Sequence, residues 1–331
     1  MLAVALASGL AAGLSPAWRF EGFLTYDDNP FRYSGIDLDA FRQREQPARF
    51  PIRSSDDLDA NVVTGLSCGT RLLGQPGAVE TALRLHGYFS NWEKSYAVAD
   101  VGFNQGVWKN GRVGVGYTYL PGFLLRYYRN PDTRDTGDYT GCRFAEHLAT
   151  VQLRQRFGPL TIRPEYGYEY DDYQPTFDHY DTRIHRLGGE ARFQPVTNLE
   201  VSGEYEYRSA CATGPVPDAS YRQHEAGLSF ITRPRRVSQF SFEAGYTFAR
   251  RGYTTENSSA VDPSHAGRVD HIEAATFKVR YRLAGVTLAA SYDLEWREVV
   301  SAYSTEIDDI RDYRRSRLGL GVVYSSRKGR R

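Results

Sequence analysis

Val151-Gln152-Leu153-Arg154-Gln155-Arg156-Phe157-Gly158-Pro159-Leu160-Thr161-Ile162-Arg163-Pro164-Glu165-Tyr166-Gly167-Tyr168-Glu169-Tyr170-Asp171 decides the fold. Val151, Leu153 and Phe157 alternate with Gln152, Arg154 and Arg156. After Gly158-Pro159 the alternation resumes, with Leu160, Ile162, Tyr166, Tyr168 and Tyr170 against Arg163, Glu165, Glu169 and Asp171. A period of two places one set on each face of an extended strand. Gly-Pro between two such runs marks a tight turn. The stretch reads as a hairpin with one apolar face and one charged face.

The same pattern recurs along the chain. Fourteen segments carry it, over about 18–27, 57–73, 78–90, 96–108, 113–120, 145–157, 160–171, 182–193, 199–208, 222–232, 238–249, 270–283, 286–298 and 313–324. The gaps alternate short and long. Short gaps include Gly74-Gln75-Pro76-Gly77, Lys109-Asn110-Gly111-Arg112, Pro195–Asn198, Arg233–Arg236 and Ala284-Gly285, all rich in turn formers. Residues 91–95 make one short gap where a long one is expected. A soluble sandwich or propeller uses strands of about five or six residues, and no repeat of fixed period is present. Segments of ten or more residues are long enough to cross a bilayer at a tilt. No apolar run approaches the roughly 20 residues that a membrane helix needs. The expected fold is therefore all-β: a single antiparallel transmembrane β-barrel of about 14 strands, with short periplasmic turns and long extracellular loops. Closure removes strand edges and lets one face meet lipid while the other meets water.

Composition agrees with this reading. The 331 residues include 24 Tyr and 17 Phe but one Met, and aromatic rings suit strands and membrane interfaces. Trp18, Phe157, Phe193, Tyr281 and Tyr324 fall toward the short-turn ends. Phe89, Tyr119, Tyr170, Tyr207 and Trp296 fall toward the long-loop ends. The net charge of +1 gives no global field to attract nucleic acid. Residues 1–17 read as an export signal: an apolar stretch, then Ser15-Pro16-Ala17 as a small-residue cleavage site, with no Lys or Arg ahead of it. Residues 18–324 form the barrel and 325–331 a basic tail. Of three cysteines, Cys68 lies within a strand pattern. Cys142 and Cys211 flank two long loops on one side, where they either bridge in an oxidising compartment or stay free. No spacing of Cys and His suggests a metal site, and no cofactor motif is present.

The charged faces point inward. Lumen-lining candidates are Glu200, Glu204, Glu206, Arg154, Arg156, Arg163, Lys278, Arg280, Arg282, Arg297, Arg315 and Arg317. The ninth segment is acidic inside, whereas the twelfth and fourteenth are basic. Opposed walls would set up a transverse field in an open lumen; pairing between neighbouring strands would instead fill it. The near balance of signs predicts no strong ion selectivity. The long segment 27–55, which follows the first strand, is the candidate for a plug.

The last strand carries a resemblance. Arg317-Leu318-Gly319-Leu320-Gly321-Val322-Val323-Tyr324 resembles the C-terminal assembly signal of outer-membrane barrels, with Arg317, Gly319, Val322 and Tyr324 at its marked positions. That signal usually ends a chain on its aromatic residue, whereas Ser325 to Arg331 follow here. Leu24-Thr25-Tyr26-Asp27-Asp28-Asn29-Pro30-Phe31-Arg32 is similar to the segment that opens putative outer-membrane β-barrel porin families. The resemblance implies residence in the outer membrane of a Gram-negative bacterium, contact with its lipid, and recognition by the barrel-assembly machinery.

No catalytic motif accompanies the pattern. His179 lies with Asp178 and Asp181 in one long segment, so a hydrolytic site at the rim is conceivable, but such groups are usually solvated. The expected role is passive diffusion of small polar solutes, without enzymatic activity. The alternative is a surface binding or export platform, with segments 27–55, 121–142 and 250–268 contacting a polysaccharide or protein.

Overall fold

The computed structural model describes residues 16–303 and 311–326, apart from Leu73, Arg134 and Thr136. Fourteen antiparallel strands form one closed barrel, each paired with its neighbours in sequence, and the last paired with the first. They are β1 (Pro16–Asp27), β2 (Asp57–Leu72), β3 (Gln75–Tyr88), β4 (Tyr96–Trp108), β5 (Gly111–Arg129), β6 (Tyr139–Phe157), β7 (Leu160–Tyr173), β8 (Thr182–Val196), β9 (Leu199–Ala212), β10 (Tyr221–Thr232), β11 (Phe240–Tyr253), β12 (Arg268–Leu283), β13 (Val286–Ser301) and β14 (Tyr313–Ser325).

The two faces sort as the alternation requires. Trp18, Phe20, Leu24 and Tyr26 of β1 stand exposed on the outer wall, while Glu21, Phe23, Thr25 and Asp27 face the interior. Phe23 breaks the polar pattern for a packing reason. It lies opposite Gly321 of β14, where a Cβ would overlap its ring. Glycine there lets an aromatic ring occupy the inner wall at the closing seam. The outer wall elsewhere presents Leu187, Leu228, Phe277, Leu318 and Leu320. Such exposure would be costly in water and is favourable against lipid.

Turn chemistry fits the short connections. Asn110 adopts φ 61°, and Ala284-Gly285 adopts φ 40° and 99°, the positive values that two-residue hairpin turns demand. The short gap between β3 and β4 is also a built turn. The Asp57 carboxylate accepts from the amides of Phe89 at 3.1 Å, Ser90 at 2.9 Å and Asn91 at 2.7 Å, and a 3₁₀ turn follows at Trp92–Lys94.

Segment 121–142 departs from the sequence expectation of a loop. It is largely strand: β5 runs to Arg129 and β6 starts at Tyr139, with pairing throughout. Two irregularities, between Leu120 and Phe123 and between Leu124 and Arg126, explain why. Each shifts the register, so the inward and outward positions change parity and the alternation is lost from the sequence. At 19 residues each, these strands exceed the about 9–11 needed to span a bilayer. They project beyond it on the long-loop side.

The expected leader falls mostly on residues 1–15, outside the described residues. Pro16 and Ala17 open β1 and pair with Cys68 and Ser67. Of the expected tail, Ser325 belongs to β14, and the amide of Ser326 donates to the carbonyl of Trp18 at 2.9 Å. The remainder lies outside the described residues.

Segment 27–55 folds back over the barrel mouth. Helix α1 (Gly35–Arg42) starts at Ser34, whose hydroxyl accepts from the Asp37 amide at 3.1 Å. Phe31, Tyr33 and Phe50 pack with Leu124 of β5 into a compact apolar core, flanked by Leu38, Phe41, Ile52 and Tyr127. The interior of the barrel is polar; this cluster is the apolar anchor that fixes the inserted segment.

Candidate functional site: the lumen and its mouth

The main cavity lies inside the barrel and has a volume of about 860 Å³. It is walled by inward residues of the strands and roofed in part by Pro30, Phe31 and Arg32 of the inserted segment. That segment is latched on several sides. Asn29 donates through Nδ2 to the carbonyls of Tyr33 at 2.8 Å and Arg314 at 3.0 Å. Arg32 pairs with Glu295 of β13 at 2.9 Å. Arg126 of β5 donates to the carbonyl of Arg32 at 2.6 Å and lies over the ring of Tyr33.

Lys94 completes the latch. Its side chain is buried, and Nζ donates to the carbonyls of Leu124 at 2.6 Å and Leu125 at 2.9 Å. It also sits 4.3 Å from the ring centroid of Phe123 and 5.2 Å from that of Phe31, an arrangement in which ring faces stabilise the cation. Burial, reinforced by the nearby arginines, lowers its pKa well below the ordinary lysine value.

The lumen candidates sort into distinct places. Lys278, Arg297, Arg315 and Arg317 line the main cavity. Glu204, Glu206 and Arg163 line a smaller recess of about 190 Å³ with Arg186, Arg208 and Glu225. Arg154 and Arg156 lie in a recess at the turn around Asn110, at the short-turn end. Glu200 pairs with Arg192 at 3.3 Å and Arg280 with Glu243 at 2.7 Å, each across neighbouring strands. Arg282 is exposed beside the Ala284-Gly285 turn. Among the marked residues of the terminal segment, Arg317 faces inward, 3.8 Å from Asp293. Val322 and Tyr324 face outward, and Gly319 pairs with Thr25 and Ser291 at the seam.

Pairing between neighbours is extensive. Arg186 bridges Glu169 at 3.0 Å and Glu206 at 2.8 Å. Arg84 makes two bonds to Asp100, at 3.0 and 2.8 Å. Arg268 makes two bonds to Asp270, at 2.7 and 2.8 Å. Such forked contacts satisfy charges held away from bulk water. On the β6–β7 wall, Glu146, Glu169 and Asp171 bring carboxylate oxygens within 4.8 Å of one another, and of the three Glu169 is tied to Arg186.

Several residues escaped the sequence reading. Lys94 sits in the short gap, Arg126 in the region taken for a loop, and Arg251 and Arg311 at strand ends or beyond. All four line the main cavity. Six arginines there lie over tyrosine rings: Arg251 over Tyr221 at 4.2 Å, Arg268 over Tyr253 at 4.7 Å, Arg297 over Tyr313 at 4.7 Å, Arg126 over Tyr33 at 5.3 Å, Arg311 over Tyr128 at 5.8 Å and Arg32 over Tyr313 at 5.9 Å. Interleaved Tyr and Arg at the strand ends is the one signal that could have marked this region.

The cysteines do not pair. Cys142 faces the cavity from β6 and Cys211 is exposed on β9, and all three are free. Cys211 shares its parity with the outward Val201 and Tyr205, so the two thiols lie on opposite faces of the wall. His179 sits in a 3₁₀ turn, Pro175–Tyr180, with its ring 4.3 Å from that of Tyr180. The Asp181 carboxylate is directed to the Tyr173 amide at 2.7 Å and the Tyr170 hydroxyl at 3.3 Å. Among the described residues no nucleophile is bonded to this imidazole.

Among solved structures, the outer membrane channel DcaP of Acinetobacter baumannii superposes with a TM-score of 0.53 at 12% identity, covering 95% of this chain and 98% of its own. The shared property is the fold. An anion-selective porin from Comamonas acidovorans gives 0.48 at 8% identity, over 95% of this chain and 99% of its own. OmpT of Vibrio cholerae gives 0.47 at 9% identity, over 94% and 97%. No family profile matches the sequence, and no curated protein matches it. The chain is a closed, fourteen-stranded barrel of outer-membrane type.

Proposed function

We propose that the protein is an outer-membrane, porin-like channel for passive diffusion of small polar solutes. The observation that carries this reading is the cavity itself: about 860 Å³ of space inside a closed barrel, walled by charged and tyrosine side chains, while the outer wall is apolar. A polar lumen inside an apolar shell offers hydrated solutes a route that lipid denies them. The barrel shared with DcaP, an outer membrane channel, supports the same reading. Arg317, Gly319, Val322 and Tyr324 would serve recognition by the barrel-assembly machinery.

The inserted segment narrows the mouth and would set the size limit. Liposomes containing the folded protein should swell in isotonic solutions of small sugars and respond progressively less to larger ones. Swelling no faster than that of protein-free liposomes would refute the proposal. The alternative of a surface platform keeps fewer free loops than expected, because two of its three segments are otherwise engaged: 121–142 is largely paired strand and 27–55 is folded into the mouth.

A further inference from the structure

We infer that the mouth of the lumen holds a binding site for small organic carboxylates. This inference rests on the reading of the lumen as a route for solutes. Its basis is how the charges are paired. Among the described residues, eleven Lys and Arg and eight Asp and Glu side chains line the main cavity. Six of those acids are engaged by basic partners. Glu21 meets Arg19, Asp27 meets Arg315, and Asp59 meets His86 at 3.2 Å. Glu169 meets Arg186 at 3.0 Å, Asp293 lies 3.8 Å from Arg317, and Glu295 meets Arg32 at 2.9 Å.

The cations are not used up in the same way. Arg126 donates to a backbone carbonyl and lies over Tyr33. Arg251 donates through Nε to the amide oxygen of Gln223 at 2.8 Å and lies over Tyr221. Lys94 is held by two carbonyls. The balance of the whole sequence conceals this excess, because six of the eight cavity acids are engaged by basic partners and only Glu146 and Asp171 are left over.

The geometry selects carboxylate over a simple halide. A guanidinium laid over a tyrosine ring uses its face and keeps in-plane N–H groups available. Arg251 has one of these committed to Gln223 and another engaged by Tyr253, which fixes its rotation. The N–H groups that remain suit the oxygens of a planar carboxylate. Eight tyrosines line the same cavity and supply hydroxyls for the rest of a polar solute.

The test uses folded protein in detergent and in planar bilayers, with glucuronate as the probe and glucose as its uncharged counterpart on nearly the same frame. Titration calorimetry should show saturable binding of glucuronate and none of glucose. Arg251→Gln should weaken glucuronate binding by about tenfold or more. Arg251→Lys, which keeps the charge without the fork, should recover only part of it. Equal behaviour of the two sugars, or unchanged affinity in Arg251→Gln, would overturn the inference. Bilayer recordings separate the two claims. An absent KCl current refutes the channel while calorimetry still judges the site. A KCl current that glucuronate leaves unaltered, together with null calorimetry, refutes the site and leaves the channel standing.

Discussion

Arg315 of β14 grips Asp27 of β1 across the closing seam: Nε lies 3.0 Å from Oδ1 and 3.1 Å from Oδ2 of the carboxylate, with both side chains almost wholly buried. The pair joins the two ends of the chain where the barrel closes. It also stands at the foot of the inserted segment, where Asp27 Oδ1 accepts from the Asn29 amide at 3.1 Å. Removing one partner leaves a buried charge without its counterion. Asp27→Asn or Arg315→Gln should therefore cost about 3–5 kcal/mol, measured as a lower urea midpoint for loss of the folded, heat-modifiable form. The double variant Asp27→Leu/Arg315→Met should lose less than the sum of the single changes. Unmoved midpoints in the single variants would show that the seam does not depend on this pair.

The orientation of the wall gives a second expectation. Leu187 is 61% exposed on the outer face near the middle of β8. Leu187→Arg would place a cation against the lipid core and should destabilise the folded barrel by about 2–4 kcal/mol. Ser202→Arg, on the inner face near Ser229, should cost much less. Equal penalties at the two positions would contradict the assignment of faces.

The mouth segment predicts a change in current. Residues 34–50 hold α1 and Phe50 of the apolar anchor. Replacing them with a short Gly-Ser linker removes the packing that holds Phe31 and its neighbours over the cavity and should raise single-channel conductance while the strands stay folded. An unaltered conductance would mean that this segment does not limit passage.

A pH effect follows from the loop between β11 and β12. His265 Nδ1 lies 3.0 Å from the Asp262 carboxylate, and the ring packs 4.9 Å from Tyr253. Burial lowers the pKa of His265 below its ordinary value, despite the opposing pull of Asp262. The unfolded loop therefore binds a proton more readily than the folded one. The contribution to stability is complete above about pH 6.5 and falls away as the pH drops below it. Protection factors of the amides in residues 258–267, corrected for the intrinsic pH dependence of exchange, should fall between about pH 6.5 and 5. His265→Phe should flatten that dependence; wild-type protection factors that do not fall would contradict it.

The strands were legible because lipid and water impose a period of two. β4 begins at Tyr96 and ends at Trp108, where the alternation places it. The hairpin of β5 and β6 was not legible beyond Leu120, because its two register shifts change the parity of the side chains. The candidates Lys278, Arg297, Arg315 and Arg317 could be read from alternation alone. Lys94, Arg126 and Arg251 could not. Lys94 sits in a turn, whose conformation leaves no periodic trace. Arg126 follows the register shifts of β5, and Arg251 lies near the end of β11, past the alternation that the sequence shows. Asp57 shows the same limit: a polar residue at a strand start becomes the cap of a turn more than thirty residues away.

Single-channel recording in planar bilayers tests the central claim most directly. Purified, folded protein in KCl should give discrete, reproducible current steps. A properly folded and inserted barrel that carries no current would contradict it.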